Sequence, residues 1–501
     1  MDAFSTFKPL RNKLKQFSFE SILSLSVQKL HELRNFPVQE VAKYPPWFLL
    51  LLIKWSVLHS DPGYRRHCHA SPGDFDKVVN LVHKLFGEVR LPSQYSSSSI
   101  FLKNTAFQQL LFQIPLSSSD IGRQILLFDH LPTKPIVKDL FFECTGFAIS
   151  DFLKLATILV GHYLTSNDIN ISSAYFAPLG IAPEVVVRFL DTLSLELSEL
   201  KPFFEAEGRR FQNFESTLYA QTPLKQRPLL RFRDKDRYVC YSPNVLFHTV
   251  STLVYDKLKD HSADSFSPEF GQIFERYIRA GLEYAGLSFS DEKQLQRKYI
   301  NSLVVDFVVS SVGGNVLIES KAIELSPLAR VAPDAAVISN ALRDSITKAI
   351  KQGVTVASRL AGDSGSRESF LLVVTFKDLY IGNGKSFLEQ TPAGKEIEEF
   401  ISNNRFQANC LPFENIYFLS PREFEWLIYL VKEHKLTPGE IIRKVIEEER
   451  RDKKLQFGQH LRSVFPVMLG APSFVKTPCD VLFAQVERVL SEKKQDAVLK
   501  N

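Results

Sequence analysis

Asp306, Glu319 and Lys321 are the residues whose types and spacing could do chemistry. They lie in two apolar runs, Leu303-Val304-Val305-Asp306-Phe307-Val308-Val309 and Val316-Leu317-Ile318-Glu319-Ser320-Lys321, with Gly313-Gly314 between them. β-Branched runs flanking a Gly-Gly pair predict an antiparallel hairpin. With Gly313-Gly314 as a two-residue turn, Val312 pairs with Asn315, Val308 stands opposite Glu319, and Asp306 stands opposite Lys321. Side chains alternate faces with period two, so Asp306, Glu319 and Lys321 are expected on one side of the sheet. The two carboxylates, with the Ser320 carbonyl between them, could hold a hard divalent ion such as magnesium, or manganese, that keeps several waters. Such an ion lowers the pKa of a bound water and neutralises charge on phosphoryl oxygens. Lys321 would orient that water or stabilise transition-state charge. Asp, spacer, acid-x-Lys also arises by chance, so the flanking elements decide how much weight it carries.

Upstream, Ser267 to Ile278 predicts a helix with Pro268 near its first turn and apolar residues at 270, 273, 274, 277 and 278. Glu275 falls at the margin of that stripe, where a carboxylate is costly unless it is paired or meets a metal. Downstream, 334 to 360 reads as a long helix with apolar positions 338, 342, 346, 349, 350, 354 and 357. Beside them runs a polar line, Ser345, Lys348, Gln352, Thr355 and Arg359, which could hold a phosphate backbone or be an ordinary wet face. Short strands are expected at 369–376 and 416–420, a polar-rich helix near 395–403, and a helix from Glu423 to Glu433.

Helix with Glu, hairpin with Asp and Glu-x-Lys, then helix and strand, resembles the PD-(D/E)XK nuclease superfamily, with its restriction-endonuclease-like fold, over about 267–433. Asp306, Glu319 and Lys321 match its signature, and Glu275 matches the glutamate many members carry on the first helix. Lys348 or Gln352 falls where several branches place a polar residue. Val305 stands where the name-giving proline would be. The resemblance implies an α/β core, a central mixed sheet flanked by helices, and metal-dependent phosphodiester hydrolysis with Asp306, Glu319 and Glu275 as ligands to Mg2+ or Mn2+. It implies DNA more than RNA as substrate, with Lys348, Gln352 and Arg359 on the nucleic acid. By fold analogy alone, it suggests antiviral defence or DNA processing in bacteria.

The 501 residues favour two or three domains, and 45% apolar residues with 12% aromatics suffice for sizeable cores. The expected organisation is a mainly helical region over 1–260, the nuclease-like region over 261–433, and a helical extension over 434–501, with the polar stretch 260–267 as the first boundary. A net charge of +5 is compatible with nucleic acid without being diagnostic. Five cysteines, scattered singly, argue for a reducing compartment. The opening residues lack a basic segment followed by an apolar stretch, and the apolar run 47–58 is too short for a bilayer and contains Lys54. A soluble cytoplasmic protein without a membrane partner is therefore expected, with a protein partner or a homo-oligomer open. No phosphate-binding Gly-rich motor motif accompanies the acids.

Three further segments invite a functional reading. Arg65-Arg66-His67-Cys68-His69 lacks the paired spacing of a structural zinc site and reads as a surface or phosphate-contacting loop. A hairpin over 229–241 carries Arg231, Arg233, Lys235 and Arg237 with interleaved aromatics, which could grip nucleic acid or protect a sheet edge. Ser97-Ser98-Ser99 reads as a surface loop. Two alternatives to a nuclease remain: a nucleic-acid-binding or scaffold protein with residual acids, and a partner-activated effector whose N-terminal region senses a ligand.

Overall fold

The computed structural model describes the chain apart from residues 1–2, 34–37, 66, 89–96, 114–116, 212, 365–366, 408, 453, 455 and 500–501. Helices dominate it. The chain is 68% helical and 9% strand, with the strands in two small mixed sheets of four and five strands. This corrects the expected α/β class with a central sheet flanked by helices. Only two strands exceed five residues, and most apolar burial is between helices, so no sheet organises the whole chain.

The four-stranded sheet is built from β1 (Asn170–Ile171), β2 (Ser194–Glu196), β3 (Leu229–Phe232) and β4 (Arg237–Cys240), in the order β1-β4-β3-β2. The expected hairpin is β3–β4, and it occupies the middle of the sheet rather than an edge. Leu230 joins a core formed mainly by the first 85 residues and by residues between 195 and 245, while Leu229 and Cys240 join a second, larger core that draws on residues from 121 to 486. The helix Pro46–His59 is apolar on every side and buried in the first of these cores. Among the described residues, the stretch Val41–His59 is long and apolar enough to cross a membrane, longer than the sequence suggested, and 67% of it is buried within the protein.

The five-stranded sheet comprises β5 (Ser290–Asp291), β6 (Phe307–Ser311), β7 (Gly314–Lys321), β8 (Ser369–Thr375) and β9 (Ile416–Leu419), paired in chain order. The pairs are antiparallel up to β7 and parallel from β7 to β9. Helix α1 (Leu253–Tyr284) lays Phe270, Ile273, Phe274, Tyr277 and Ile278 in the core that holds Phe307, Val309, Val316 and Ile318. The stretch 260–267 is helical except at Ser262, where two helical segments of α1 meet, and Pro268 sits within the second segment rather than at its start. The chain kinks instead at Ser262 (φ −153°, ψ 67°), close to Asp264, whose carbonyl loses its donor to the proline.

The opposite face, with Val308, Leu317, Leu371 and Val373, packs against the predicted downstream helix. Asp334 caps its first segment, Ala335–Leu342; a π-helical stretch, Arg343–Thr347, leads into α2 (Lys348–Ser364). Gly353 lets α2 lie close on β8, because a Cβ there would stand 2.6 Å from Leu371. Helix α3 (Pro421–His434) starts at a Ser420–Glu423 capping box, and α4 (Pro438–Arg451) at a Thr437–Glu440 box. Gly439 meets the hairpin turn backbone to backbone: a Cβ would fall 2.1 Å from the Gly313 carbonyl. Arg443 adds a 2.8 Å hydrogen bond to the same carbonyl, so α4 braces the hairpin.

Candidate active site

The hairpin register differs from the predicted one by two residues. Phe307 pairs with Ile318 and Ser311 with Gly314, which leaves Val312 and Gly313 as the turn. Gly314 is drawn into the sheet instead: it adopts φ +110°, and the next amide, Asn315 N–H, donates to the Glu368 carbonyl at 2.9 Å. A slip of two preserves every face. Glu319 and Lys321 therefore stay on the side of Val308 and Leu317, and Asp306, one residue before β6, comes level with Glu319 rather than Lys321.

The three residues meet directly. Asp306 N–H donates to Glu319 Oε2 at 3.1 Å. The Asp306 carboxylate accepts from the Ser320 amide at 2.7 Å and the Ser320 hydroxyl at 2.6 Å, both on Oδ2. Lys321 Nζ bonds the other Glu319 oxygen, Oε1. Glu319 is 1% exposed, and its carboxyl is pushed up to about 7 by burial first and by the Asp306 charge second, against the pull of Lys321. The role of the Ser320 amide and hydroxyl in fixing Asp306 was missed, because nothing distinguishes this serine from other strand serines.

Glu275 reaches the same neighbourhood from α1, half-buried, with its pKa raised by burial and then by the charges of Asp306 and Glu292. Among the described residues, no group of three or more His, Cys, Asp or Glu side chains is placed to hold a metal. The set that geometry offers to an ion is thus two carboxylates, Asp306 and Glu319. Among the described residues, Lys321 supplies the one positive charge bonded to this pair, and burial, with the Asp306 charge second, holds Glu319 up against it. A hard cation that keeps most of its waters fits a donor set of two carboxylates.

Of the expected nucleic-acid contacts, Gln352 is closest in connection to the site: its Nε2 donates to the Val304 carbonyl at 2.6 Å, and its Oε1 is buried without a partner. Lys348 and Arg359 are exposed on α2, about three turns apart. Thr355 is buried and bonded to the Lys351 carbonyl, so it leaves the polar line.

Several residues of the other basic segments are engaged in structure, while Arg65 and Lys235 are exposed and Arg66 lies outside the described residues. Arg231 is buried between Asp191 and Glu196, at 2.6 and 3.0 Å, and Arg233 also reaches Glu196. Arg237 stacks over Phe232. His69 bonds Ser18, and the Cys68 backbone pairs with Gln16 and Ser18, tying that segment to the first two helices. Ser97 caps the helix Ser98–Gln109, so it opens a helix rather than a loop. No protein-family model, curated protein or solved structure matches the chain.

Proposed function

We propose that this chain is a divalent-metal-dependent nuclease, with DNA the favoured substrate. The observation that carries the reading is the buried pairing of Asp306 with Glu319, with Lys321 bonded to the same carboxylate. Packing alone does not require two adjacent acids on neighbouring strands, and their mutual repulsion is costly unless a cation resolves it. Asp306 and Glu319 would hold Mg2+ or Mn2+, and the bound ion would supply an activated water and charge neutralisation at the phosphoryl group. Ser320 keeps the Asp306 carboxylate in place. Lys321, released from Glu319 when that oxygen binds an ion, would position the water or meet the charge developing on phosphate. Glu275 would act through the charge it adds beside Asp306, and Lys348 and Arg359 would hold the substrate backbone, Gln352 being bonded to the Val304 carbonyl.

A second reading, a nucleic-acid-binding protein without catalysis, is favoured by the closed state of the cluster, in which Lys321 already neutralises Glu319. Cleavage of single- and double-stranded DNA and RNA, linear and circular, with magnesium or manganese, separates the two. Metal-dependent product from the wild type and none from Lys321→Ala supports the nuclease. Binding that survives Glu319→Gln, with no product from any substrate, supports the second reading.

A further inference from the structure

Away from the paired acids, a cavity of about 380 Å³ opens between the N-terminal helices and the segment that leaves β7. Its size suits a small organic ligand. One wall is a face of the helix Pro46–His59, where Trp47, Leu50, Leu51 and Lys54 recur at helical spacing. Phe112, Phe211 and Leu253 extend the apolar side. The far wall is set by Glu324 and Arg330, just beyond Lys321 in sequence.

The charges are unevenly resolved. Asp256 is bound by Lys377 at 2.7 Å, Glu324 by Lys259 and Arg330, and Glu207 by Arg210 at 3.1 Å. Asp256, Glu324 and Glu207 are thereby largely neutralised, while Asp260 and the cations Lys54, Lys225 and Lys257 form no salt bridge among the described residues, Lys225 facing Asp256 and Lys257 facing Asp260 only at longer range. Lys54 is 7% exposed and its ammonium forms no hydrogen bond there, with Glu207 acting only at longer range. A buried ammonium without a partner is costly.

We propose that this cavity binds a phosphorylated small molecule with an apolar body, of nucleoside diphosphate size, its phosphates on Lys54 and Lys225 and its body against Trp47 and Phe112. The assignment rests on the cavity and its unpaired cations, and stands independently of the chemistry at Asp306 and Glu319. Burial also holds Lys54 down to about 8 and Lys225 to about 7, the direction a bound anion would reverse.

Calorimetric titration of the full chain with ADP, and separately with inorganic pyrophosphate, tests it. ADP is expected to bind saturably and more tightly than pyrophosphate. Lys54→Met should weaken ADP at least tenfold while leaving the ligand-free protein as resistant to heat as the wild type, or more so, because an unpaired buried charge is gone. Should that variant fail to fold, Lys225→Met decides by the same criterion. Absence of binding by both probes, pyrophosphate binding as tight as ADP, or undiminished ADP binding by the folded variant would overturn the assignment.

Discussion

The backbone N–H of Asp306 donates to the side chain of Glu319 at 3.1 Å, so one acid's main chain fixes the other acid's carboxylate. The Asp306 side chain is meanwhile held by Ser320, the residue next to Glu319. The two carboxylates are thus cross-anchored by the hairpin itself. Removing either side chain changes charge more than it changes position.

Lys321→Ala should lower metal-dependent cleavage by roughly 10²–10³-fold, the range for loss of one preorganised electrostatic group, with the fold intact by circular dichroism. A variant that cuts as fast as the wild type would remove Lys321 from the chemistry.

Glu319 makes stability depend on pH in a defined direction. Its folded pKa, about 7, lies above the ordinary 4.5, so between these values the folded state keeps a proton that the unfolded chain has released. Its contribution is complete below about 4.5, is lost as pH rises toward 7, and is level above that. Glu319→Gln lacks this titration, so its stability relative to wild type should grow from pH 5 to 7 and then plateau. Urea denaturation in EDTA at pH 5, 6, 7 and 8 measures the difference, and a constant difference would contradict it.

An ion at the pair must displace the same proton. Stabilisation of the folded chain by manganese should therefore increase from pH 6 to pH 8, and Asp306→Asn should reduce it sharply. Thermal denaturation across a manganese series at each pH provides the check. Equal stabilisation of wild type and Asp306→Asn would place the ion elsewhere.

Arg231→Gln is expected to destabilise the chain by about 1–3 kcal/mol, by leaving Asp191 without its cation and Glu196 with only the exposed Arg233. Nucleic-acid affinity at fixed salt should stay within about twofold, because this guanidinium is buried. A large affinity loss at unchanged stability would restore the hairpin as a nucleic-acid grip.

What the sequence showed and hid follows from chain length per element. The shared face of Asp306, Glu319 and Lys321 was legible because period-two alternation over β6 and β7 survives a register slip of two, as Glu319 and Lys321 illustrate. The apolar positions 338, 342, 346, 349, 350, 354 and 357 all proved buried, since a long amphipathic helix repeats its signal several times. Strands such as Asn170–Ile171 and Ser194–Glu196 are too short to show any alternation, so the four-stranded sheet was visible only as its β3–β4 hairpin. Pro268 reads locally as a helix start, yet its segment of α1 begins after the break at Ser262 and runs through it, with Phe266 and Phe270 buried on either side. The fate of Arg231 was hidden as well, because its partners Asp191 and Glu196 come from distant segments.

The contact between Gly313 and Gly439 leaves no room for a side chain at Gly439 without moving α4 or the turn. It also sets a schedule. The hairpin emerges during synthesis well before its brace, so its turn waits on a helix that has not yet been made. A chain interrupted before that helix carries the whole Asp306, Glu319 and Lys321 signature on a hairpin whose turn is unbraced.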